Sequence, residues 1–270
     1  MRKLAALLAG AVLVAGMAAT PSLSNAYEAI CGPLGVLHYQ KEKSYGGYVL
    51  YTNHLGGTKT YLIDLEGNVV HEWNHGRQAF MAELLPNGHL LRAEQGPGSP
   101  VTFGGWHGTL REYDWDGNVV WECNQAEFIE DPGEKPQWMA RQHHDFQREG
   151  STTGYYAPGH EPQSLSGNTL VLCHRDAHCE YISDKPLLDD VVYEVNWDGE
   201  IIWEWQASDH VEEMGFSEAA RNAMARNPNY RGGSLIDSAP GLGDWMHINS
   251  MSTLGPNKWY DAGDEGLSWQ

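Results

Sequence analysis

The chain has 270 residues and a formal charge of −19 at pH 7, with 17 Lys and Arg against 36 Asp and Glu. So acidic a chain repels nucleic acid, and no basic patch offsets it, which excludes a nucleic-acid partner and requires any anion to be held in a local pocket. Eleven Trp and 13 Tyr against five Phe point to aromatic-rich strands whose polar ring atoms find partners.

The first element in chain order is a leader. Arg2 and Lys3 supply a basic start, residues 4–19 are apolar, and Ser24-Asn25-Ala26 offers small residues at a cleavage site. The apolar run falls short of the ~20 residues that a spanning helix needs. Residues 1–26 therefore read as a cleaved signal peptide rather than an anchor, and residues 27–270 as one exported domain, periplasmic or secreted. No later stretch is apolar and long enough to cross a bilayer.

Next comes a motif that occurs three times. Its first copy runs Asp64-Leu65-Glu66-Gly67-Asn68-Val69-Val70-His71-Glu72-Trp73. The second is Asp114-Trp115-Asp116-Gly117-Asn118-Val119-Val120-Trp121-Glu122-Cys123. The third is Asn196-Trp197-Asp198-Gly199-Glu200-Ile201-Ile202-Trp203-Glu204-Trp205. Each reads strand, acidic-Gly turn, strand, because the glycine supplies the positive φ of a tight hairpin and β-branched and aromatic residues flank it. A calcium loop at Asp114, Asp116 and Asn118 lacks the downstream bidentate Glu, so turn chemistry is preferred. Further strands are expected over 48–51, 80–85, 89–92 and 168–173, with Pro86-Asn87-Gly88 as a turn. Two hairpins per repeat make a four-stranded blade, and copies 50 and 82 residues apart match blades with unequal insertions. The expected fold is all-β, a β-propeller, with one short helix over 218–226 capped by Ser217 and ended by Asn227-Pro228.

Cys31, Cys123, Cys173 and Cys179 allow three pairings. Cys173 and Cys179 bracket His174 and His178, a set that suits zinc. In an oxidising compartment a local Cys173–Cys179 disulfide is the preferred expectation.

Two segments concentrate polar chemistry: Trp138-Met139-Ala140-Arg141-Gln142-His143-His144-Asp145-Phe146 and Asp244-Trp245-Met246-His247-Ile248-Asn249-Ser250. Each precedes a blade hairpin and is expected to be an innermost strand. Period-two alternation then sets His143 with Asp145, and His247 with Asn249, on faces that meet across a central channel, while His144 points away into packing. Polar residues lining a wet channel are the bland alternative. A metal bound by His-His-Asp is the sharper one, disfavoured because Asn249 is a weak ligand.

The hairpins, the His-His-Asp-Phe segment and the Trp-Met-His-Ile-Asn-Ser segment resemble the bacterial arylsulfate sulfotransferase family from about Tyr48 to Gly263. The resemblance implies a six-bladed propeller whose central channel passes a sulfuryl group from an aryl sulfate to a phenol through a sulfohistidine, with no cofactor and no metal. It places His143 and His247 on channel histidines with catalytic roles and Asn249 on a residue that touches the sulfuryl oxygens. Trp245 is a further substrate-binding candidate, for an aryl ring, weighed evenly against packing. The family's attacking histidine and an assisting arginine lie in later blades, whereas this sequence ends at Gln270, so the resemblance implies a C-terminally truncated chain.

Imidazole suits the chemistry, because a pKa near 6.5 lets it serve as nucleophile, acid or donor close to neutrality. No Gly-rich phosphate loop appears, which fits a donor that is an aryl sulfate rather than a nucleotide. A secreted propeller that binds a ligand without chemistry stands as the alternative.

Overall fold

The computed structural model describes residues 35–53, 57–96, 107–129, 136–151, 166–228 and 243–253. The expected leader and its cleavage site, Cys31, and everything after Thr253 lie outside those residues. The chain separates into two units, Met1–Gly47 with Leu65–Asn68, and Tyr48–Asp64 with Val69–Gln270. In the first unit, a 3-10 turn at Lys41–Lys43 is steadied by Ser44, whose hydroxyl donates to the Gln40 carbonyl at 2.9 Å.

The strands described in the second unit pair antiparallel. A three-stranded meander runs β1 (Tyr48–Thr52), β2 (Lys59–Asp64), β3 (Val69–Asn74). A four-stranded meander follows: β4 (Ala79–Leu84), β5 (Leu90–Gln95), β6 (Gly108–Tyr113), β7 (Val119–Cys123). The hairpin of β8 (Ala126–Ile129) and β9 (Gln137–Ala140) leads into a second four-stranded meander, β10 (Gln142–Arg148), β11 (Thr169–Ala177), β12 (Leu187–Val195), β13 (Ile201–Gln206).

The three motif copies form the β2–β3, β6–β7 and β12–β13 hairpins. Gly67, Gly117 and Gly199 take φ of 91°, 88° and 85°, the left-handed region that costs an L side chain ~1–2 kcal/mol. Asp114 locks its turn by accepting from the Asn118 backbone and side-chain amides, both at 2.8 Å, so turn chemistry accounts for that carboxylate. Asn196 does the same for Glu200 N at 2.9 Å. In all three hairpins the register slips after the same motif position, at Leu62, Glu112 and Glu194. The extra residue is Val70, Val120 or Ile202, three positions beyond the glycine, so each hairpin carries the same β-bulge on its second strand.

The aromatic motif endings join one sheet to the next. The His71 ring stacks on Trp115 at 4.1 Å, and its motif equivalent Trp121 stacks on Trp197 at 6.0 Å. Trp73 Nε1 donates to the Asp114 carbonyl at 3.3 Å, and Trp121 Nε1 to that of Trp197 at 2.9 Å. Leu62, Trp73, Leu90 and Tyr113 fill the core between the first and second sheets. Leu91, Leu110, Trp121, Phe146, Val171, Val191 and Val195 are among those that fill the core between the second and third. Each such side chain contributes ~1.5–3 kcal/mol on burial.

Charged groups are also buried there. Arg148 donates to Glu112 at 3.0 Å and to Thr169 at 2.8 Å, with its guanidinium 4.6 Å from Trp121 and 5.0 Å from Trp197. A third apolar cluster, with Ile182, Leu187, Val211 and Trp245, underlies the helix α1 (Glu218–Arg226). The helix starts where expected, Ser217 Oγ accepting from Ala220 N at 3.3 Å, and ends at Asn227.

Two expectations are corrected. No Cys173–Cys179 disulfide forms: Cys123, Cys173 and Cys179 are free thiols. Strand β11 stays extended from Cys173 to Ala177, and a rise of ~3.3 Å per residue carries Cys179 past the ~7 Å Cα limit for bridging. Cys173 lies in the core between sheets, whereas Cys179 packs in the cluster under the helix. The second correction concerns 244–250, which is not a strand. Its one bridge is a parallel contact of Asp244 with Leu188, and the rest is irregular backbone held by side chains.

Candidate functional site

Strand β10 is the edge of its sheet, and its pairing with β11 breaks in the middle. Gln142 pairs with Cys173 and Phe146 with Val171, so His143, His144 and Asp145 stand opposite a single residue. The expected alternation is lost in this bulge. His144 has φ 50° and His247 φ 55°, and among the described residues these are the non-glycine residues with positive φ. Such strain costs on the order of 1–3 kcal/mol per residue and persists only where surrounding contacts enforce it, which happens most often at functional sites.

The bulge reverses the expected roles of the two adjacent histidines. His143 is fully buried, while His144 is half-buried and turns its ring edge-on to His247, with centroids 5.1 Å apart. The Nδ1 atoms of His143 and His144 are 2.9 Å apart, a hydrogen bond that needs one neutral acceptor and one donor.

Behind His143 lies a buried row across three strands. His174 of β11 stacks on it at 3.7 Å with planes 15° apart, and Asp190 of β12 is the cross-strand partner of His174. Asp190 Oδ1 lies 3.2 Å from His143 Nε2 and 3.6 Å from His174 Nε2. Burial pushes the His143 imidazole down to about 3 and holds that of His174 well below its usual range, so both rings are neutral. Burial likewise pushes the Asp190 carboxyl up to about 7. His107, also fully buried, is driven down to about 3 by its own desolvation.

The segment 243–253 supplies the other half. Gly243 is needed for its approach, since a Cβ there would meet the Pro186 carbonyl at 2.1 Å. The segment is then fastened by side chains in place of a ladder. Asp190 Oδ2 accepts from Ile248 N at 3.1 Å, Asp145 Oδ2 from Met251 N at 2.8 Å, and Gln147 Oε1 from Thr253 N at 3.1 Å. His247 Nδ1 is bonded to Asp244 Oδ2 at 2.7 Å, and Asp244 is fully buried.

The structure thus brings His144 and His247 together and sets His143 behind them. Asn249 is exposed at the same segment, its amide donating to the His247 carbonyl at 2.8 Å. Trp245 lies in the cluster under the helix, 6% exposed, with its indole N–H donated to Asp189 at 2.8 Å. His107, Asp190 and Asp244 are not singled out by the sequence as site residues, and His174 enters there only as a zinc candidate beside Cys173, Cys179 and His178. The signal for Asp190 was its place in the otherwise apolar run Leu187-Leu188-Asp189-Asp190-Val191-Val192, and for Asp244 its three-residue offset from His247.

Among the described residues, His143, His174 and Asp190 come close enough to share a cation, with candidate ligand atoms within 4.8 Å of one another. The two imidazole planes are nearly parallel, however, so their in-plane lone pairs run side by side rather than converging on one ion. Neutral imidazoles beside a carboxyl whose affinity for its proton is raised by burial account for this cluster without an ion. Two imidazoles set edge to face, each bonded at Nδ1 to a buried group, can donate to anionic oxygens and exchange a proton with a leaving group.

A family model described as Arylsulfotransferase (ASST) matches residues 38–259, a span that contains every residue of this site. No curated protein matches the chain.

Proposed function

The chain belongs to the arylsulfotransferase family, and from that premise we propose that it serves transfer of a sulfuryl group from an aryl sulfate to a phenol, without a nucleotide donor. We propose further that its meanders are successive blades of a propeller, a reading supported by the repeated ring contacts from His71 to Trp115 and from Trp121 to Trp197. The observation that carries the functional reading is the meeting of His144 and His247, each held in left-handed backbone.

In this reading the two rings donate to the sulfuryl oxygens and the departing oxygen, and the Asn249 amide, freed from the His247 carbonyl, adds a donor. An attacking imidazole, contributed from outside the described residues, forms an S–N bond as the S–O bond to the aryl group breaks, and the phenolate leaves with a proton from a site histidine. The acceptor phenol then returns a proton as its oxygen displaces the imidazole from sulfur, which makes the kinetics ping-pong. The placement of His143 makes its part indirect, and His144 takes the substrate-facing role on β10. The leader reading goes with this one: donor and acceptor meet outside the cytoplasm, after cleavage near Tyr27.

The test follows 4-nitrophenol release from 4-nitrophenyl sulfate, with and without phenol, together with formation of phenyl sulfate. His144→Ala and His247→Ala are each expected to lower turnover ~10²–10³-fold, the loss that follows removal of one donor from an anion hole. Nitrophenol release that phenol does not accelerate, or full turnover in both variants, would sink the reading. Saturable binding of aryl sulfate with no transfer in any form would instead leave a ligand-binding propeller.

A further inference from the structure

Both substrate-facing rings are gripped at the same atom. His247 Nδ1 is held by Asp244 Oδ2 at 2.7 Å, and His144 Nδ1 by His143 Nδ1 at 2.9 Å. The two grips come from different parts of the chain. Asp244 is fixed by its bridge to Leu188 at the start of β12, and His143 by its stack on His174 and its approach to Asp190. All of these supporting groups are buried, Asp244, His143 and Asp190 fully and His174 to within 1%.

An imidazole bonded at Nδ1 has only Nε2 left to point the other way, so the group behind a ring fixes both its orientation and its tautomer. From this we propose that Asp244 and His143 are positioning residues: they grip Nδ1 of His247 and His144 and so turn Nε2 of both rings toward the substrate. The inference rests on the sulfuryl-transfer reading for its chemistry, though not for its geometry.

The roles are unequal. A carboxylate behind His247 accepts Nδ1–H whatever the charge on the ring, so that ring can carry a second proton on Nε2. That proton passes to the phenolate oxygen as the S–O bond breaks, leaving the neutral Nδ1–H tautomer, and Nε2 then takes the proton of the acceptor phenol. A neutral imidazole behind His144 stabilises a positive ring far less than a carboxylate does. His144 therefore donates a hydrogen bond to a sulfuryl oxygen and keeps its protons throughout.

The proposal is tested on the full chain by two readouts, one of which needs no activity. Long-range proton–nitrogen spectra of histidine-labelled protein are expected to show His247 as a single Nδ1–H tautomer in its neutral form. Asp244→Asn should convert that ring to a mixture and leave His144 unchanged. His143→Phe, which keeps a ring stacked on His174, should free His144 alone, and His143→Asn, whose amide reaches the Nδ1 position, should restore a single tautomer.

In turnover, Asp244→Asn is expected to lower kcat ~10²–10⁴-fold with KM little changed, the upper figure being the known cost of the equivalent change in a serine-protease triad. Because only a proton donor senses the leaving group, that loss should be larger for phenyl sulfate than for 4-nitrophenyl sulfate. His143→Phe should cost ~10-fold or more equally on both donors. A His247 tautomer unmoved by Asp244→Asn overturns the proposal, as does a loss independent of the leaving group with circular dichroism unaltered. Stoichiometric metal lost together on His143→Phe and Asp190→Asn would overturn the His143 half. Wild-type protein with the expected tautomers but no sulfuryl transfer would refute the functional reading and leave the positioning intact.

Discussion

Replacing Arg148 by Met removes the charge that ties the second sheet to the third. The guanidinium is fully buried, donates to Glu112 at 3.0 Å and to Thr169 at 2.8 Å, and lies against Trp121 and Trp197. Methionine fills much of the volume and keeps the aromatic contact, so the packing loss is small. The main cost is the Glu112 carboxylate, also fully buried, left without its cation. Breaking a buried pair from one side costs about 3–5 kcal/mol. His89 still bonds Glu112 through Nδ1 at 2.7 Å, which puts the expectation near the lower end, about 3 kcal/mol. The assay is equilibrium urea unfolding followed by tryptophan fluorescence, for which Trp121 and Trp197 are local reporters. Adding Glu112→Gln should recover at least half of the loss, since the uncompensated charge goes with it. A loss below ~1 kcal/mol, or a double variant no more stable than the single one, would refute the reasoning.

The turn, a buried acid and the thiols give three more tests. Gly199→Ala meets no neighbour within 4 Å, so its cost is backbone strain alone, expected at about 1–2 kcal/mol in the same unfolding assay. Burial pushes the Glu83 carboxyl up to about 7 from 4.5, so its contribution is full below pH 4.5 and lost as pH rises through 7. Glu83→Gln should therefore stabilise the protein at pH 8 relative to pH 4.5 by up to roughly 3 kcal/mol, read from unfolding midpoints at the two pH values. Of the three described thiols, half-buried Cys179 should react first with a disulfide reagent, while Cys123 and Cys173 react only on unfolding, as peptide mapping of the labelled protein would show.

The hairpin repeat was legible because its determinants are local. A glycine that must adopt positive φ, an Asx side chain that closes on the residue four along, and flanking β-branched residues all lie within ten positions, and β2–β3, β6–β7 and β12–β13 follow. The Ser217 cap is local in the same way. The site was legible only as two segments. Alternation placed His143 with Asp145 and sent His144 away, but alternation holds only while the ladder is regular, and three residues of β10 stand opposite one of β11. Nothing within residues 141–146 marks that bulge. His174 and Asp190 become neighbours through the β11–β12 register, a pairing of residues 16 apart that short-range pattern does not reveal. The Cys173–Cys179 disulfide is absent for a related reason: closeness in sequence is not closeness in space when an extended strand separates the two residues.

The reading of 244–250 as a strand failed because the polar residues around it serve as its anchors. A strand is held by its own backbone pairs, and substitutions in its neighbours leave the ladder intact. Here the backbone N–H groups of Ile248, Met251 and Thr253 are satisfied by Asp190, Asp145 and Gln147, side chains from two different strands. Those anchors fix His247 relative to His144 without the period-two constraint that a ladder would impose, which is what permits a left-handed histidine to face a second one. Asp190 joins the two halves most directly, with one oxygen beside His143 and the other on Ile248 N. A buried carboxyl in that position is costly unless its partners are held in place. That carboxyl ties the bulge of β10, which carries His144, to the irregular segment that carries His247, and so couples the placement of the two rings.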